Sequence, residues 1–279
     1  MNKEHLVPQM LLRPWPFPRG AGRIVDKFFS GLHFRTNEAT VQTTDGFAMT
    51  VNPNELIGRH IYLTGEFDRS IIEILCNFSQ PNDVLLDVGA NIGYVSACFL
   101  KNVQGSRAIA VEPQEGVLKL LRANLPPDRS TIVPCALSDT DGEVWFQTNK
   151  ANSGAGRIVA TGGQDAIRIQ TQSADRLFAH ASTSRIDLVK IDAEGHEKTI
   201  IESCLSHFDR LHPRAILFED SAHDAPQISA MLTQIGYKTF GIEKSLVSLT
   251  LTENKRAHDY IAVSANREIP GPARNSYGL

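Results

Sequence analysis

The chain has 279 residues, 42% of them apolar and 21% charged, which is the balance of a globular protein with a full core. Its 28 Lys and Arg against 31 Asp and Glu leave a net charge of −3, which excludes a strongly basic nucleic-acid binder. A chain of this size buries most of its unfolded surface, so neither disulfide nor structural metal is needed for stability, and no apolar run approaches the ~18 residues of a membrane span.

Lys3 is followed by no apolar stretch before Pro8, so no secretory signal peptide is expected. Residues 1–30 read as irregular, with Pro14, Pro16 and Pro18 blocking helix and central strand. Trp15 and Phe17 predict an extended arm packed on the surface; a lid or a dimer arm is the alternative, and a homodimer is left open. Residues 40–65 read as short strands, with Thr40–Thr43 and Phe47–Val51 joined by the hairpin signal Asp45-Gly46. Ile71, Ile72, Leu75 and Phe78 then fall at helical spacing.

From residue 82 strand and helix alternate. Apolar runs at 84–86, 108–111, 131–133, 186–191 and 215–218 are separated by helical patterns such as Val117, Leu118, Leu121 and Leu125. Tyr237–Phe240 and Tyr260–Val263 complete seven strands. Unbroken apolar strands between helices predict a doubly wound α/β fold, its seven-stranded sheet mostly parallel and covered on both faces. An interval of about fifty residues between the third and fourth strands adds strands at 143–146 and 167–171. The glycine-bearing segment 152–163 between them is predicted to be a flexible loop, either a lid or idle. Cys76, Cys98, Cys135 and Cys204 are widely spaced among apolar neighbours, and predict reduced core residues of a cytoplasmic protein.

Ligands of such sheets bind outside the carboxyl ends of the strands, beside the first one. That strand ends in Asp87-Val88-Gly89-Ala90-Asn91-Ile92-Gly93. Gly89 permits a sharp turn and close approach of a ligand, and the following helix start offers free N–H groups to an anion. Glu112 ends the second strand, 19 residues past Gly93, where a carboxylate can accept from both ribose hydroxyls. A dinucleotide site would need G-x-G-x-x-G, and the second glycine is missing here. S-adenosylmethionine fits better: its ammonium suits Asp87, its carboxylate the helix start, its ribose Glu112.

These residues resemble the FkbM family of S-adenosylmethionine-dependent methyltransferases. The likeness covers about residues 60–220 and rests on Thr64-Gly65-Glu66-Phe67-Asp68, Val84–Tyr94, Val111-Glu112-Pro113, Ala136–Asp139 with Gly142, Ile186–Glu197 and Leu217-Phe218-Glu219. It implies the Rossmann-like fold of class I methyltransferases, with an arm and short β extension over 1–65 and one catalytic domain over 66–279, insertion 143–171 included. It also implies O-methylation of a sugar, glycolipid or secondary metabolite. Asp87, Gly89 and Asn91 would contact the methionine part of the cofactor and Glu112 its ribose. Cys135, Ala136, Leu137 and Ser138 would border the adenine, and Glu66 would lie near the amino-acid end. For Glu66, a carboxylate favoured by a helix start is the competing reading.

Methyl transfer to an alcohol needs collinear placement and a proton acceptor. Asp192, a cofactor contact, is the candidate to face the methyl group, with Glu194 or His196 as base. Otherwise Glu194 and Glu197 merely favour a helix N-terminus, and His196, where many members carry a small residue, is a surface residue. Asp192, Glu194, Glu219 and Asp220 could together hold Mg²⁺, but no ligand spacing demands a metal and none is expected, zinc included. A nicotinamide-dependent oxidoreductase and a silent binding module are the other function classes. The acceptor is expected between the arm and the insertion, where Arg157 and Arg168 either pair with its phosphate or carboxylate or are solvated charges.

Overall fold

The computed structural model describes residues 9, 12, 13, 15–17, 19–149, 151–180, 184–253 and 256–278. Met10, Leu11, Pro14 and Pro18 of the proline-rich stretch lie outside these. Trp15 and Phe17 meet edge to face at 5.8 Å, and Phe17 remains exposed. Residues 21–29, read as irregular, are helical. α1 (Ala21–Ile24) runs into a π-helical turn, Val25–Phe29, once the prolines are past, and it buries Ala21 and Val25. β1 (Ala39–Gln42) and β2 (Ala48–Val51) form the expected antiparallel hairpin. α2 (Leu56–Thr64) corrects the reading of short strands, because Ile57, Ile61 and Thr64 fall on one buried helical face. α3 (Arg69–Phe78) follows as predicted.

The alternating part comprises β3 (Val84–Val88), α4 (Tyr94–Asn102), β4 (Arg107–Val111), α5 (Glu115–Asn124) and β5 (Ser130–Val133). Next come β6 (Ala136–Ser138), β7 (Gly142–Gln147), β8 (Arg157–Val159), β9 (Ala166–Ser173) and α6 (Ala174–His180). The chain then runs through β10 (Leu188–Ile191), α7 (Glu197–Leu211), β11 (Ala215–Glu219) and α8 (Ala225–Gln234). It closes with β12 (Tyr237–Lys244), β13 (Leu249–Thr252), β14 (Asp259–Ser264) and α9 (Gly271–Tyr277).

The main sheet has eight strands in the order β13-β12-β14-β11-β10-β3-β4-β5. β11, β10, β3, β4 and β5 are parallel, and β14, β12 and β13 are added antiparallel. The eighth strand is a correction to seven. β12 continues past Phe240, and its last four residues pair with Leu249–Thr252. The insertion is a separate four-stranded sheet, β6-β9-β7-β8, with one of its strands, β8, in the segment read as loop.

β3 is buried at every position. Val84, Leu86 and Val88 join a core with Ile200 and Phe208, whereas Leu85 joins another with Leu75, Phe99, Met49 and Ile61. The hairpin and α2 therefore pack into the same core as the sheet. The chain order reverses between β3 and β10, and this switch point sets the position of the site. No helix among the described residues is long and apolar enough to cross a membrane.

Candidate functional site

At the carboxyl ends of β3, β4 and β10 lies a cavity with about 880 Å³ of unfilled space, its open mouth included. Three residues of the turn after β3 have positive φ: Gly89 (73°), Asn91 (49°) and Gly93 (86°). A Cβ on Gly89 would stand 1.8 Å from the Asp192 carbonyl oxygen, so this glycine makes room for the backbone after β10 as well as for a ligand. Gly93 begins α4 and lies against Leu121 of α5 and Leu125 just past its end, the close helix packing expected of it.

Glu112 lines the cavity. Its Oε2 accepts from Asn91 N at 3.0 Å and its Oε1 from Gln114 N at 2.9 Å. Burial pushes its carboxyl up to about 7 against those two N–H groups. Each oxygen keeps a further lone pair for a hydroxyl. Asp87 does not line the cavity. It is fully buried, Ser96 Oγ donates to its Oδ2 at 2.7 Å, and Lys190 Nζ lies 3.5 Å from its Oδ1. The cavity wall instead holds Asp68, which precedes α3 with φ 42°. Burial raises the Asp68 carboxyl. Glu66 lines the adjoining cleft, which shares Phe67 and Asp68 with the cavity.

Ala136 borders the cavity with Cys135 and Leu137, and Phe146, Ser153, Gly154, Gly156 and Ile158 of the insertion close it. The segment read as a flexible loop is tied down: Gln114 Nε2 donates to Ser153 O at 2.7 Å and Asn91 Nδ2 to Ser153 Oγ at 3.2 Å. Ser138 does not line the cavity but holds His196, with Oγ and Nε2 3.0 Å apart. The Ser138 hydroxyl proton goes to Asp139 Oδ1 at 3.0 Å, so Nε2 is the protonated nitrogen and Nδ1 carries the free lone pair. Burial holds His196 below its ordinary range, hence neutral. His196 is therefore a cavity residue beside the 135–138 loop, not a surface one.

Lys190 was missed by sequence reasoning. It is the fourth group of a tight set, donating to Gly89 O at 3.0 Å and lying 3.3 Å from Asp192 Oδ2. Burial alone would discharge its ammonium, but Asp192 and Asp87 outweigh it and raise its pKa. A lysine inside an apolar central strand was the available signal, since a buried cation requires acids beside it. Asp192, Glu194 and Glu219 bring carboxylate oxygens within 4.8 Å of one another. Asp220 does not join them, because its Oδ1 accepts from Ala225 N at 2.9 Å. Asp192 is held below its ordinary value by Lys190 despite burial, whereas burial and a hydrogen bond shared with Asp192 raise Glu219.

Glu197 is a structural cap, accepting from Ala193 N at 2.8 Å and Gly195 N at 3.0 Å. Glu194 is different. It sits at φ 50°, its carboxylate makes no hydrogen bond among the described residues, and burial with Asp192 and Glu197 raises its pKa. It lines both the cavity and a second, polar cleft of about 1260 Å³ walled by the insertion and the loops after β10 and β11. Arg157 lines that cleft too; Arg168 instead stacks 4.9 Å over Trp145 and pairs with Glu143 at 3.5 Å.

Residues 87–239 match the family model described as the methyltransferase FkbM domain. Hexuronic acid methyltransferase AglP of Haloferax volcanii is 30% identical over 166 residues, 58% of this chain and 66% of that protein. The 2-O-methyltransferase NoeI of Sinorhizobium fredii is 25% identical over 150 residues, 48% of this chain and 60% of that one. The chain thus spans 66% and 60% of the length of these curated relatives. Among solved structures, M. jannaschii TYW2 in complex with AdoMet aligns with TM-score 0.45 at 10% identity, over 83% of this chain and 87% of that one. A TehB-like SAM-dependent methyltransferase from Corynebacterium glutamicum aligns with TM-score 0.44 at 10% identity, over 74% and 91%.

Proposed function

The chain belongs to the FkbM methyltransferase family, and from that premise we propose that it transfers the methyl group of S-adenosylmethionine to a hydroxyl of a sugar, free or within a glycan. Relatives named for a hexuronic acid and for 2-O-methylation support a sugar hydroxyl. The cavity's chemistry fits the donor. Asp68 and Asp192 supply carboxylates for its cationic end, Glu112 keeps lone pairs for ribose hydroxyls, and Cys135, Ala136, Leu137 and Ile158 form an apolar slot. The donor brings an electrophilic methyl on a sulfonium that leaves readily.

The chain's own residues do the rest. Gly89, Asn91 and Glu112 fix the donor's ribose end, and Asp192, anchored by Lys190, fixes the cationic end. Asp87 acts through Lys190 and touches no substrate. His196, held in place by Ser138, borders the adenine end. Glu194 accepts the hydroxyl proton, and the polar cleft on its far side seats the acceptor. The observation that carries this reading is Glu194 itself: an unpartnered carboxylate with a raised pKa at the junction of an apolar cavity and a polar cleft. A raised pKa makes a carboxylate a better base at neutral pH.

The test is incubation with methyl-labelled S-adenosylmethionine and a panel of sugars, read by mass spectrometry for the gain of one CH₂. Glu194→Gln should lower kcat by about 10²–10⁴ while S-adenosylhomocysteine binds as before. Acid-limb loss of wild-type activity should set in above the ordinary glutamate value of 4.5. Unchanged turnover in Glu194→Gln would remove it from the mechanism.

A further inference from the structure

The polar cleft carries a charge that the methyl-transfer reading leaves without a task. Among the described residues three charged side chains line it: Glu194, Asp165 and Arg157. Glu194 is the base, and Asp165 is engaged in an interaction of its own. Arg157 makes no hydrogen bond or ion pair among the described residues, although its charge bears on Glu194. It opens β8 and stands directly opposite Gln147 of β7, so the two side chains share one face of an antiparallel pair, and both line the cleft. The guanidinium is thus presented by a paired strand, whereas Arg168, the insertion's other candidate, is spent on Trp145 and Glu143.

Resting on the acceptor cleft assigned above, we propose that Arg157 binds an anionic substituent of the acceptor, so that the enzyme selects an acidic sugar over a neutral one. A carboxylate or a phosphate would suit the planar guanidinium, which grips either with two parallel N–H···O bonds. Charge balance argues the same way. An anion carried into a cleft beside Asp192, Glu194 and Glu219 meets like charge unless a cation is waiting, and Arg157 lies in the wall that the acceptor must pass.

The experiment uses the full chain loaded with S-adenosylhomocysteine and measures binding of methyl glucuronide, glucose 6-phosphate and methyl glucoside by titration. One of the two anionic sugars should bind at least about tenfold more tightly than the neutral glucoside, and the tighter anion identifies the substituent. Arg157→Gln should bring the anionic and neutral sugars within about twofold of each other, and Arg157→Lys should retain part of the preference. Arg157 is exposed, so folding is not at stake. The proposal is overturned if the glucoside binds as well as the tighter of the two anions, if neither anion binds, or if Arg157→Gln keeps the preference. Failure of S-adenosylhomocysteine to bind in the first titration would instead overturn the methyl-transfer reading, and this inference with it.

Discussion

Replacing Lys190 with Met removes the cation that joins the ends of β3 and β10. Its side chain is 8% exposed, and it lies 3.5 Å from Asp87 Oδ1, 3.3 Å from Asp192 Oδ2 and 3.0 Å from Gly89 O. The two acids are not equivalent. The Asp192 side chain is 41% exposed and can be rehydrated, whereas that of Asp87 is fully buried and keeps only the Ser96 hydroxyl. Stranding a buried charge in this way costs about 3–5 kcal/mol. For a chain of 279 residues the melting temperature should fall by about 5–9 °C. Urea unfolding of wild type, Lys190→Met, Asp87→Asn and the double variant completes a cycle. If the penalty is the orphaned Asp87 carboxylate, the double variant recovers about 1 kcal/mol or more beyond additivity. A coupling under about 0.5 kcal/mol would refute the reasoning and reduce Lys190 to a packing residue.

Three further outcomes are expected. Gly89→Ala places a methyl group 1.8 Å from the Asp192 carbonyl, where contacts under 3.0 Å do not occur, and at φ 73°. It should therefore lower stability and weaken donor binding together in calorimetry, while an effect on stability alone would uncouple the turn from the site. The Glu112 carboxyl, raised from 4.5 to about 7 in the fold, adds stability that is fully present below pH 4.5 and lost as pH rises through about 7, at most ~3 kcal/mol in the ligand-free protein. Glu112→Gln should abolish that loss, read as the pH dependence of its stability difference from wild type. His196→Ala should weaken S-adenosylhomocysteine binding yet spare kcat at saturating donor and leave the acid limb in place; a fall in kcat of about 10²–10⁴ would make His196 the base after all.

The sheet was readable because its central strands are buried at every position and apolar at all but Asp87 of β3 and Lys190 of β10. β3 and β10 bury all their residues, and a run of that kind between helical spacings has one architectural solution. Elements whose pattern depends on distant partners were not readable. β13 exists because β12 outlasts the stretch paired to β14, and α2 is helical because its Ile57–Ile61–Thr64 face meets the sheet's core, although the stretch was read as short strands. The irregular reading of 21–29 extended the prolines' influence past Pro18, where nothing on the chain any longer prevents helix.

In the site, residue types were readable and their directions were not. An acid at the end of the first strand was assigned to the ammonium, yet register sets Asp87 opposite Lys190 on β10, and the two form an ion pair at 3.5 Å inside the sheet. Parallel register is a long-range property, so no spacing in 84–93 announces it. The stretch Ile186–Glu197 shows the same division within twelve residues. Asp187 stands before β10 and accepts from Val84 N at 3.0 Å and Arg267 Nη2 at 2.9 Å, at the end of the strand away from the cavity. Asp192 stands after the strand, in the cavity wall, with Glu194 beyond it and Glu197 folded back as a cap. Four strand residues separate a clamp from a cavity-lining acid. Because ligands meet only the carboxyl ends of parallel strands, strand direction alone sorts Asp187 from Asp192, and it leaves to tertiary geometry the choice among Asp192, Glu194 and His196. In the proposed reading that choice rests on which side chain is left without a partner, and contacts from elements far apart in sequence set this: β6 claims His196, Lys190 claims Asp192, and Glu194 alone of the three faces both cavities with no hydrogen bond among the described residues.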